Sequence, residues 1–338
     1  MISAISFIGI NTNLKLYRNI VRSYFGYRAG SIKPAFASYN LTFCCNLRCE
    51  FCDLWRLKHE ELDEERALRV VDKICELGVP VLDFSGGEPM LRKDLFALAK
   101  RAKEYGCILS MNTNGTLFDE EKADKASKLF DYIVISLDGP KEVHDDLRGV
   151  KGSYDRALRA LDLLKQRGVR VGINTVITPT NLRLLPSFIE EIRKRADFLT
   201  VQPINPCNRA LNYDEVALEK LKALLLRLRM KGLAPLPIPY IEGIFSYLKC
   251  KAPKVCDAIR LYFAVSPMGD VLACGARNDI VLGDLFKRSL KDILGRPPLG
   301  AVEVVNRCSG CWLTCTSGIS LAFKKPLREI KWYIRLRV

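Results

Sequence analysis

Short apolar stretches alternate with longer amphipathic stretches along most of this chain. Between about residues 35 and 201, six runs of mostly apolar residues are separated by segments whose apolar residues recur at helical spacing. This alternation predicts an α/β fold with a parallel sheet, curled into a partial (β/α)6 TIM-type barrel. The predicted strands are 35–43, 81–85, 108–112, 132–136, 171–177 and 198–201, and the predicted helices are 64–77, 93–105, 120–129, 154–167 and 184–195.

Prolines and basic charge divide the chain further. Pro235, Pro237 and Pro239 break the helical pattern, which predicts that a second domain begins near residue 236. Residues 1–34 hold five basic residues and no acidic one, and residues 317–338 hold six basic residues and one acidic one, so the ends carry ten of the fifteen net charges. The predicted segments are a basic amphipathic extension (1–34), a barrel (35–235), a small domain (236–316) and a basic amphipathic tail (317–338).

Both ends have the pattern of an amphipathic helix with one basic side. Such a helix can lie on an anionic membrane surface, or it can pack on the protein with its basic side in water. The residues concerned are Tyr17, Ile20, Val21 and Tyr24 beside Lys15, Arg18 and Arg22, and Leu327, Ile330 and Ile334 beside Arg328, Lys331 and Arg335, with Trp332 and Tyr333. Because both ends share the pattern, we expect a lipid or membrane-surface partner.

Composition narrows the class of protein. Apolar residues make up 49% of the 338 residues, enough for a large core, and no apolar run approaches the length of a membrane span. Thirteen cysteines in a chain of this length without a secretory signal indicate metal binding or catalysis in a reducing cytoplasm. The body between the ends is only mildly basic, so we expect no nucleic-acid partner. The expected location is the cytoplasm, peripheral to the inner membrane face if the ends bind lipid.

Three cysteines lie together just after the first predicted strand. Cys45, Cys49 and Cys52 are separated by three and then two residues in the stretch CNLRCEFC. Three thiolates on one loop can bind three irons of a cubane cluster and leave the fourth iron without a protein ligand. An open coordination position is typical of a reactive metal site, whereas structural zinc uses four ligands. The alternative is a zinc loop or a chance group of thiols, for which His59, in charged sequence, is a poor fourth ligand.

Further motifs follow the second and fourth predicted strands, where barrel enzymes place their chemistry. Paired glycines allow a backbone to approach a ligand closely, and a glutamate can accept hydrogen bonds from an ammonium group, although a tight turn alone would also explain such a motif. The motifs are Gly86-Gly87-Glu88-Pro89 after the second strand, and Ser136 and Arg148 after the fourth.

Together these motifs resemble those of the radical S-adenosylmethionine (SAM) enzymes. The cysteine spacing, Phe51 before the last cysteine, and a GGEP motif about 35 residues later carry the resemblance. It implies a [4Fe–4S] cluster whose open iron chelates SAM, and a low-potential electron donor of the ferredoxin or flavodoxin type that drives cleavage of SAM to a 5′-deoxyadenosyl radical. It also implies that Ser136 contacts the SAM ribose and that Arg148 pairs with the SAM carboxylate. The remaining implied SAM-binding residues are Phe51, Gly86, Gly87, Glu88 and Pro89.

A second set of cysteines lies in the predicted small domain. Gly269 lies in a turn, which predicts a hairpin with Cys274 on its second strand. The spacings C-x12-G-x4-C and C-x2-C-x3-C resemble the auxiliary-cluster domains called SPASM and twitch, and the resemblance implies one auxiliary [4Fe–4S] cluster here. Its predicted ligands are Cys256 and Cys274 with two of Cys308, Cys311 and Cys315, the first two of these three being favoured, and Cys315 or Cys250 as substitutes. A structural zinc ribbon is the alternative.

The other cysteines receive simpler interpretations. Cys75 and Cys107 lie within helix and strand patterns and are predicted to be buried apolar residues. Cys44 is predicted to point away from the cluster, because neighbouring residues on a strand face opposite sides. Cys207 is left unassigned.

The resemblance implies an enzyme that abstracts hydrogen from an unreactive carbon. The basic ends make a membrane lipid chain, joined by carbon–carbon bond formation, the leading hypothesis for the substrate. The alternative is a peptide-modifying or haem-pathway enzyme, and a remote alternative is a non-catalytic iron–sulfur electron carrier. An intact set of SAM-binding motifs argues against a carrier, because electron transfer needs no SAM pocket.

Overall fold

The computed structural model describes residues 14–57, 59–205, 211–308 and 310–324. Helix α1 (Leu14–Arg28) precedes six strands that alternate with helices. The strands are β1 (Phe36–Thr42), β2 (Val81–Gly86), β3 (Ile108–Thr113), β4 (Tyr132–Ser136), β5 (Arg170–Ile177) and β6 (Phe198–Pro203). The helices between them are α2 (Glu64–Glu76), α3 (Leu95–Glu104), α4 (Glu120–Leu129), α5 (Lys141–Arg148), α6 (Ser153–Gln166) and α7 (Leu185–Ile192).

The remaining elements begin after the sixth strand. They are α8 (Glu215–Met230), α9 (Ile238–Leu248), β7 (Tyr262–Val265), β8 (Asp270–Cys274), β9 (Arg277–Asp284), α10 (Leu290–Gly295), α11 (Leu299–Arg307), a π-helical turn (Thr314–Gly318) and α12 (Ile319–Lys324). Two short 3-10 helices, Leu54–Arg56 and Pro89–Leu91, follow the cysteine loop and the GGEP motif.

All nine strands belong to one sheet, in the order β6-β5-β4-β3-β2-β1-β7-β8-β9. Strands β1 to β6 pair in parallel in sequence order, which confirms the predicted α/β partial barrel. The predicted hairpin is also confirmed, since β7 and β8 pair antiparallel and Cys274 ends the second strand. Strand β7 pairs in parallel with β1, so the predicted small domain continues the barrel sheet. The division of the chain at residue 236 stays a prediction.

Helix α5 was not predicted. The segment 141–148 is short and mostly charged, so few apolar positions mark its period, yet Leu147 is buried on its inner face. Gly149 ends the helix in the left-handed conformation, with φ of +69°, which is a common way for a helix to terminate. His144 lies on this helix, and its Nδ1 accepts a hydrogen bond from the Asp138 backbone N–H at 3.2 Å.

Helix α1 closes the end of the barrel that lies opposite the predicted chemistry. Its buried residues Leu16 and Ile20 pack against Val81 and Ile108, which begin two barrel strands. Further along the helix, Tyr24 lies against Phe323 of α12, with ring centroids 6.1 Å apart. In this part of the amphipathic extension the apolar face is thus covered by the protein, as in the packing hypothesis.

Other parts of the two basic ends lie outside the described residues. Residues 1–13 and 325–338 lie outside the described residues, as do the side chains of Lys15 and Tyr17. The tail residues from Leu327 to Arg335, on which the membrane hypothesis depended, are therefore not described. Across the described residues, no helix combines the length and apolar character needed to cross a membrane.

Candidate active site

The cysteine loop is fixed by backbone hydrogen bonds to the end of helix α5. The Arg48 N–H donates to the Arg148 carbonyl at 3.0 Å, and the Glu50 N–H donates to the Leu147 carbonyl at 3.1 Å. The end of α5 and the cysteine loop are so close that a Cβ added at Gly149 would lie 2.6 Å from the backbone oxygen of Arg48. Residues nearly 100 positions apart in sequence therefore set the shape of the loop.

The GGEP motif fixes the other side of the same loop. The Gly87 N–H donates to the Thr42 carbonyl at 2.8 Å, and the Glu88 N–H donates to the Cys44 carbonyl at 2.9 Å. A Cβ at Gly87 would lie 2.1 Å from the Cys44 oxygen, and one at Gly86, where φ is +119°, would lie 2.2 Å from the Thr42 oxygen. The glycines do allow a close approach, but the approached group is the backbone of the cysteine loop rather than a ligand.

Glu88 joins the ends of two strands. Its side chain is 0% exposed and accepts hydrogen bonds from the Met90 N–H (3.1 Å), the Thr113 hydroxyl (2.8 Å) and the Asn114 N–H (2.8 Å). Burial raises the pKa of this carboxyl group, and these donors oppose the shift. One acceptor position is left on Oε2, so contact with the SAM ammonium stays a prediction. Pro89 is buried in the 3-10 helix that follows.

Arg148 lies beside the cysteine loop with one edge already paired. Its Nε donates to the Asp138 carboxylate at 2.6 Å, Nη1 lies 3.7 Å from the Cys49 sulfur, and the guanidinium lies 5.3 Å from the centre of the Phe51 ring. Burial lowers the pKa of Arg148, but the charges of Asp138 and Cys49 and their hydrogen bonds to the guanidinium outweigh burial and raise the pKa overall. Its pairing with the SAM carboxylate stays a prediction, and the structure adds Asp138, which sequence reasoning missed, as its internal partner.

The three loop thiols suit a positively charged metal cluster. Cys49 is buried, while Cys45 and Cys52 are half-buried. Burial raises the pKa of Cys45 to about 11, and the neighbouring Glu88, Cys49 and Cys52 add to the shift. Thiolates so close together repel one another, and iron that binds them as thiolates relieves this repulsion. This donor set fits a [4Fe–4S] cluster held by three cysteines.

Cys44, which the sequence predicts to point away from the cluster, is exposed and lies beside His59 and Glu61. The ligand atoms of these three residues lie within 4.8 Å of one another. However, Nε2 of His59 already accepts a hydrogen bond from the Phe43 N–H at 3.0 Å. A metal ion bound there would have to displace that bond, so we assign the group a structural role at the start of the loop.

The five cysteines of the second set also come together. Cys256 precedes β7, Cys274 ends β8, Cys308 and Cys311 follow α11, and Cys315 lies in the π-helical turn. Burial raises the pKa of Cys274 to about 12 and that of Cys311 to about 11. The nearby charges of Cys256 and Cys308 add to both shifts. Five thiols for four iron positions fit an iron–sulfur cluster as a donor set.

Cys315 differs from the other four thiols of this set. Burial raises its pKa, followed by the charges of Cys311 and Asp83, a barrel residue. It also lines a cavity inside the barrel. Cys250 is disulfide-bonded and is thus not one of the gathered free thiols, while Cys207 lies outside the described residues. Cys75 and Cys107 are buried, which confirms their predicted placement.

Comparison with known proteins gives the family. The sequence model of the radical SAM superfamily matches residues 39–192, and that of the SPASM iron–sulfur cluster-binding domain matches residues 256–315. The PqqA peptide cyclase of Granulibacter bethesdensis is 31% identical over 262 residues, which cover 71% of this chain and 67% of that protein. The chain belongs to the radical SAM superfamily. Its cofactors are therefore SAM and a [4Fe–4S] cluster, with auxiliary iron–sulfur binding in the SPASM domain.

Other relatives of this radical SAM enzyme match a shorter region. The Fe-coproporphyrin III synthase of Methanosarcina barkeri is 40% identical over 156 residues, and the pre-heme d1 synthase of Dinoroseobacter shibae is 41% identical over 165 residues. These matches cover 45% and 48% of this chain and 39% and 41% of the two relatives, so about three fifths of each relative is not matched.

Solved structures agree on the fold. Streptococcus suis SuiB, bound to its precursor peptide SuiA, has a TM-score of 0.66 at 17% identity, covering 88% of this chain and 74% of that chain. The structure of anSMEcpe with bound AdoMet has a TM-score of 0.63 at 21% identity, covering 89% of this chain and 96% of that chain.

The radical SAM enzyme contains a cavity of about 440 Å³ inside its barrel. Gly86 and Leu54 line it near the cysteine loop, and Cys315 lines it near the second cysteine set, so it lies between the two metal sites. Ser136, the predicted ribose contact, also lines it. Each barrel strand contributes polar residues to the lining: Ser38, Asn40, Asp83, Ser85, Asn112, Ser136, Asn174, Thr200 and Gln202.

The strand pattern could have located these polar positions. In β1, β2 and β6, which contribute two polar residues each, these residues lie two positions apart and so share the face that points into the barrel. The predicted strands included most of them, but the sequence did not show which face was internal. Sequence reasoning therefore missed Asn40 and Asp83, and the closure of the barrel gives them their place.

Proposed function

We propose that this radical SAM enzyme modifies a peptide, by abstracting hydrogen from a carbon atom of a side chain that enters the cavity. When bound, SAM and its cluster supply the organic radical, and the residues of this chain supply position and shielding. Cys45, Cys49 and Cys52 would hold the cluster. Arg148, fixed by Asp138, would lie beside it. The cavity would hold the reacting side chain away from water.

The observation that carries this proposal is the charge and polarity of the cavity lining. Among the described residues that line the cavity, Asp83 is the one carboxylate and Arg229 the one cation, and amide and hydroxyl groups also line it. A peptide segment offers both donors and acceptors to such a lining. Two relatives have names that agree with a peptide substrate. They are the PqqA peptide cyclase and the mycofactocin maturase MftC of Mycolicibacterium smegmatis, which is 30% identical over 73% of this chain.

Apolar residues also form much of this lining, but its unpaired polar groups are a poor match for a lipid chain. An acyl chain would leave Asn40 Nδ2 and the free acceptor positions of Asp83 without hydrogen-bond partners, at a cost of about 1–3 kcal/mol for each group. The lipid hypothesis also depended on the two basic ends, and the described part of the first end packs on the barrel. The relatives named above support the alternative, a peptide or haem-pathway substrate, better than the lipid hypothesis.

A tetrapyrrole is the second candidate, because relatives named Fe-coproporphyrin III synthase and pre-heme d1 synthase are 40% and 41% identical to part of this chain. Tetrapyrrole precursors of haem carry several carboxylates, and carboxylates are recognised by arginine and lysine. Within the described lining, Arg229 alone would meet that need. We therefore favour the peptide.

The test is a substrate screen without oxygen. The protein, reconstituted with iron and sulfide, receives SAM and a low-potential reductant with a synthetic peptide library, coproporphyrin III, or a membrane lipid extract. We expect formation of 5′-deoxyadenosine to increase with peptide, together with a peptide whose mass shows loss of hydrogen. The Cys45/Cys49/Cys52→Ala variant is the control and should give neither product. A response to coproporphyrin III or lipid, with none to peptide, would reject the proposal in favour of that substrate.

A further inference from the structure

The wall of the cavity holds the Asp83 carboxylate, which forms no ion pair with a lysine or arginine of the described residues. Asp83, on β2, is 3% exposed and lines the cavity, where its oxygens accept hydrogen bonds from Ser110 Oγ (2.5 Å) and Asn112 Nδ2 (2.7 Å). No charged neighbour among the described residues contributes to the shift in its pKa. Two neutral donors leave acceptor positions free on both oxygens.

Burial makes this arrangement costly in the free protein. Desolvation raises the pKa of Asp83 to about 6, and the hydrogen bonds from Ser110 and Asn112 only partly oppose it. The group is still ionised near neutral pH, so the cavity holds an unpaired negative charge. Buried charges are usually paired, and a cationic ligand would supply the missing partner.

A second group in the cavity lacks a partner. Asn40 is 4% exposed, lines the same cavity, and its Nδ2 makes no hydrogen bond. Strand pairing sets Ser38 opposite Asp83 and Asn40 opposite Ser85, so Asn40 and Asp83 are diagonal neighbours on the internal face. The unpaired Asn40 Nδ2 and the free acceptor positions of Asp83 therefore lie on the same wall of the cavity, on neighbouring strands.

We propose that Asp83 and Asn40 form a subsite for a basic side chain of the substrate, with Asp83 binding its ammonium or guanidinium group and Asn40 Nδ2 donating to a nearby carbonyl oxygen. The identity of the ligand as part of a peptide rests on the proposed function, whereas binding of a cation does not. Gly86, three residues further along β2, and Cys315 line the same cavity, so a substrate held at Asp83 would lie between the two sets of cysteines.

The first test uses a small cation as the probe. We would measure the melting temperature of the anaerobic holoenzyme at pH 7.5 with pentylammonium chloride, pentanol or sodium pentanoate, at equal ionic strength. Pentylammonium is expected to stabilise the wild type more than the other two compounds, and this difference should vanish in Asp83→Asn. The control Asp124→Asn removes an exposed carboxylate on α4, outside the cavity lining, and should keep the difference. Equal effects of pentylammonium and pentanol on the wild type, or an unchanged difference in Asp83→Asn, would overturn the subsite.

The second test separates the subsite from the peptide function. Library peptides with lysine or arginine are expected to support formation of 5′-deoxyadenosine on the order of tenfold better than the same peptides with norleucine, and Asp83→Asn should abolish that preference. If pentylammonium binds through Asp83 but no peptide is modified, the peptide function fails and the subsite stands. If peptides react equally well with lysine or norleucine, the subsite fails and the peptide function stands.

Discussion

The two cysteine sites of this protein are built in opposite ways. The first takes three thiols from eight consecutive residues, Cys45 to Cys52, and two of the three are only half-buried. The second gathers five thiols from about 60 residues, on a hairpin, a helix end and a π-helical turn. A loop with three thiols leaves an iron position for another ligand, whereas five thiols can satisfy every iron. The number and local spacing of the thiols thus separate a reactive site from an enclosed one.

The two cysteine sites also differ in the hydrogen bonds that fix the backbone around them. The first loop is clamped between the GGEP motif and the end of α5 by backbone hydrogen bonds that need no metal. In the second set, the described backbone hydrogen bonds of Cys308 and Thr316 are local, to the Val305 and Leu313 carbonyls, and the Cys311 sulfur lies 2.9 Å from the Thr316 hydroxyl. We therefore expect the first loop to keep its shape without its cluster, and the second region to depend on its metal for order.

The largest expected effect comes from removing the first site. Cys45/Cys49/Cys52→Ala should abolish SAM cleavage and lower the bound iron by about four atoms per chain, because no other described thiols can replace them. Iron and sulfide analysis with a 5′-deoxyadenosine assay would measure this. Loss of all iron instead would show that the two sites assemble together, and would break the contrast drawn above.

Removing the second site should have a different outcome. Cys256→Ala/Cys274→Ala should also remove about four irons, but SAM cleavage at the first cluster should persist while modification of substrate is lost. Proteolysis should cut the variant faster within residues 256–315, since this region is expected to need its metal. Resistance equal to that of the wild type would contradict that dependence.

Single variants would identify the fourth ligand of the second site. If Cys256, Cys274, Cys308 and Cys311 bind the cluster, Cys315→Ala should keep its iron and Cys308→Ala should lose it. Electron paramagnetic resonance of the reduced proteins would compare the two clusters directly. The reverse result would assign Cys315, the thiol that lines the cavity, as the ligand.

A smaller effect is expected at the clamp on the first loop. Gly87→Ala would place a Cβ 2.1 Å from the Cys44 oxygen, so the loop must shift, at an expected cost of about 1–3 kcal/mol of stability and with slower SAM cleavage. Gly295→Ala, whose Cβ meets nothing within 4 Å, is the matched control. Urea unfolding and the 5′-deoxyadenosine assay would test both variants. Equal behaviour would mean that the clamp does not set the shape of the loop.

The smallest expected effect is a pH dependence near the same loop. Burial lowers the pKa of His144 to about 4, followed by the charge of Arg148. The unfolded chain takes up this proton near pH 6.5 and the folded protein only near pH 4, so stability falls as pH falls between these values. At pH 5.5 the loss should be about 1 kcal/mol. His144→Asn keeps an acceptor for the Asp138 N–H but cannot titrate, so its urea midpoint should fall less than that of the wild type between pH 7 and 5.5.

Features of the fold and the site could be predicted from sequence when the residues that form them are close together along the chain. The alternating pattern was enough to predict six parallel strands, because each strand and helix carries its own period. The first cysteine loop and the GGEP motif were found because their residues are neighbours in sequence. The second hairpin was found from a turn around Gly269, but its pairing with β1 was not, since strand order is set by contacts between distant segments.

By itself, the sequence determined the six barrel strands, the two sets of thiols and the class of chemistry, all of which depend on local spacing. Only the tertiary structure decided what the glycines of GGEP touch, that Arg148 is paired with Asp138, and that Asp83 and Asn40 share the inside of the barrel. The physical reason is that the sequence of a strand does not show which of its two faces is buried, and that the partner of a buried charge is distant in sequence. Only folding selects the inner face and brings such partners together.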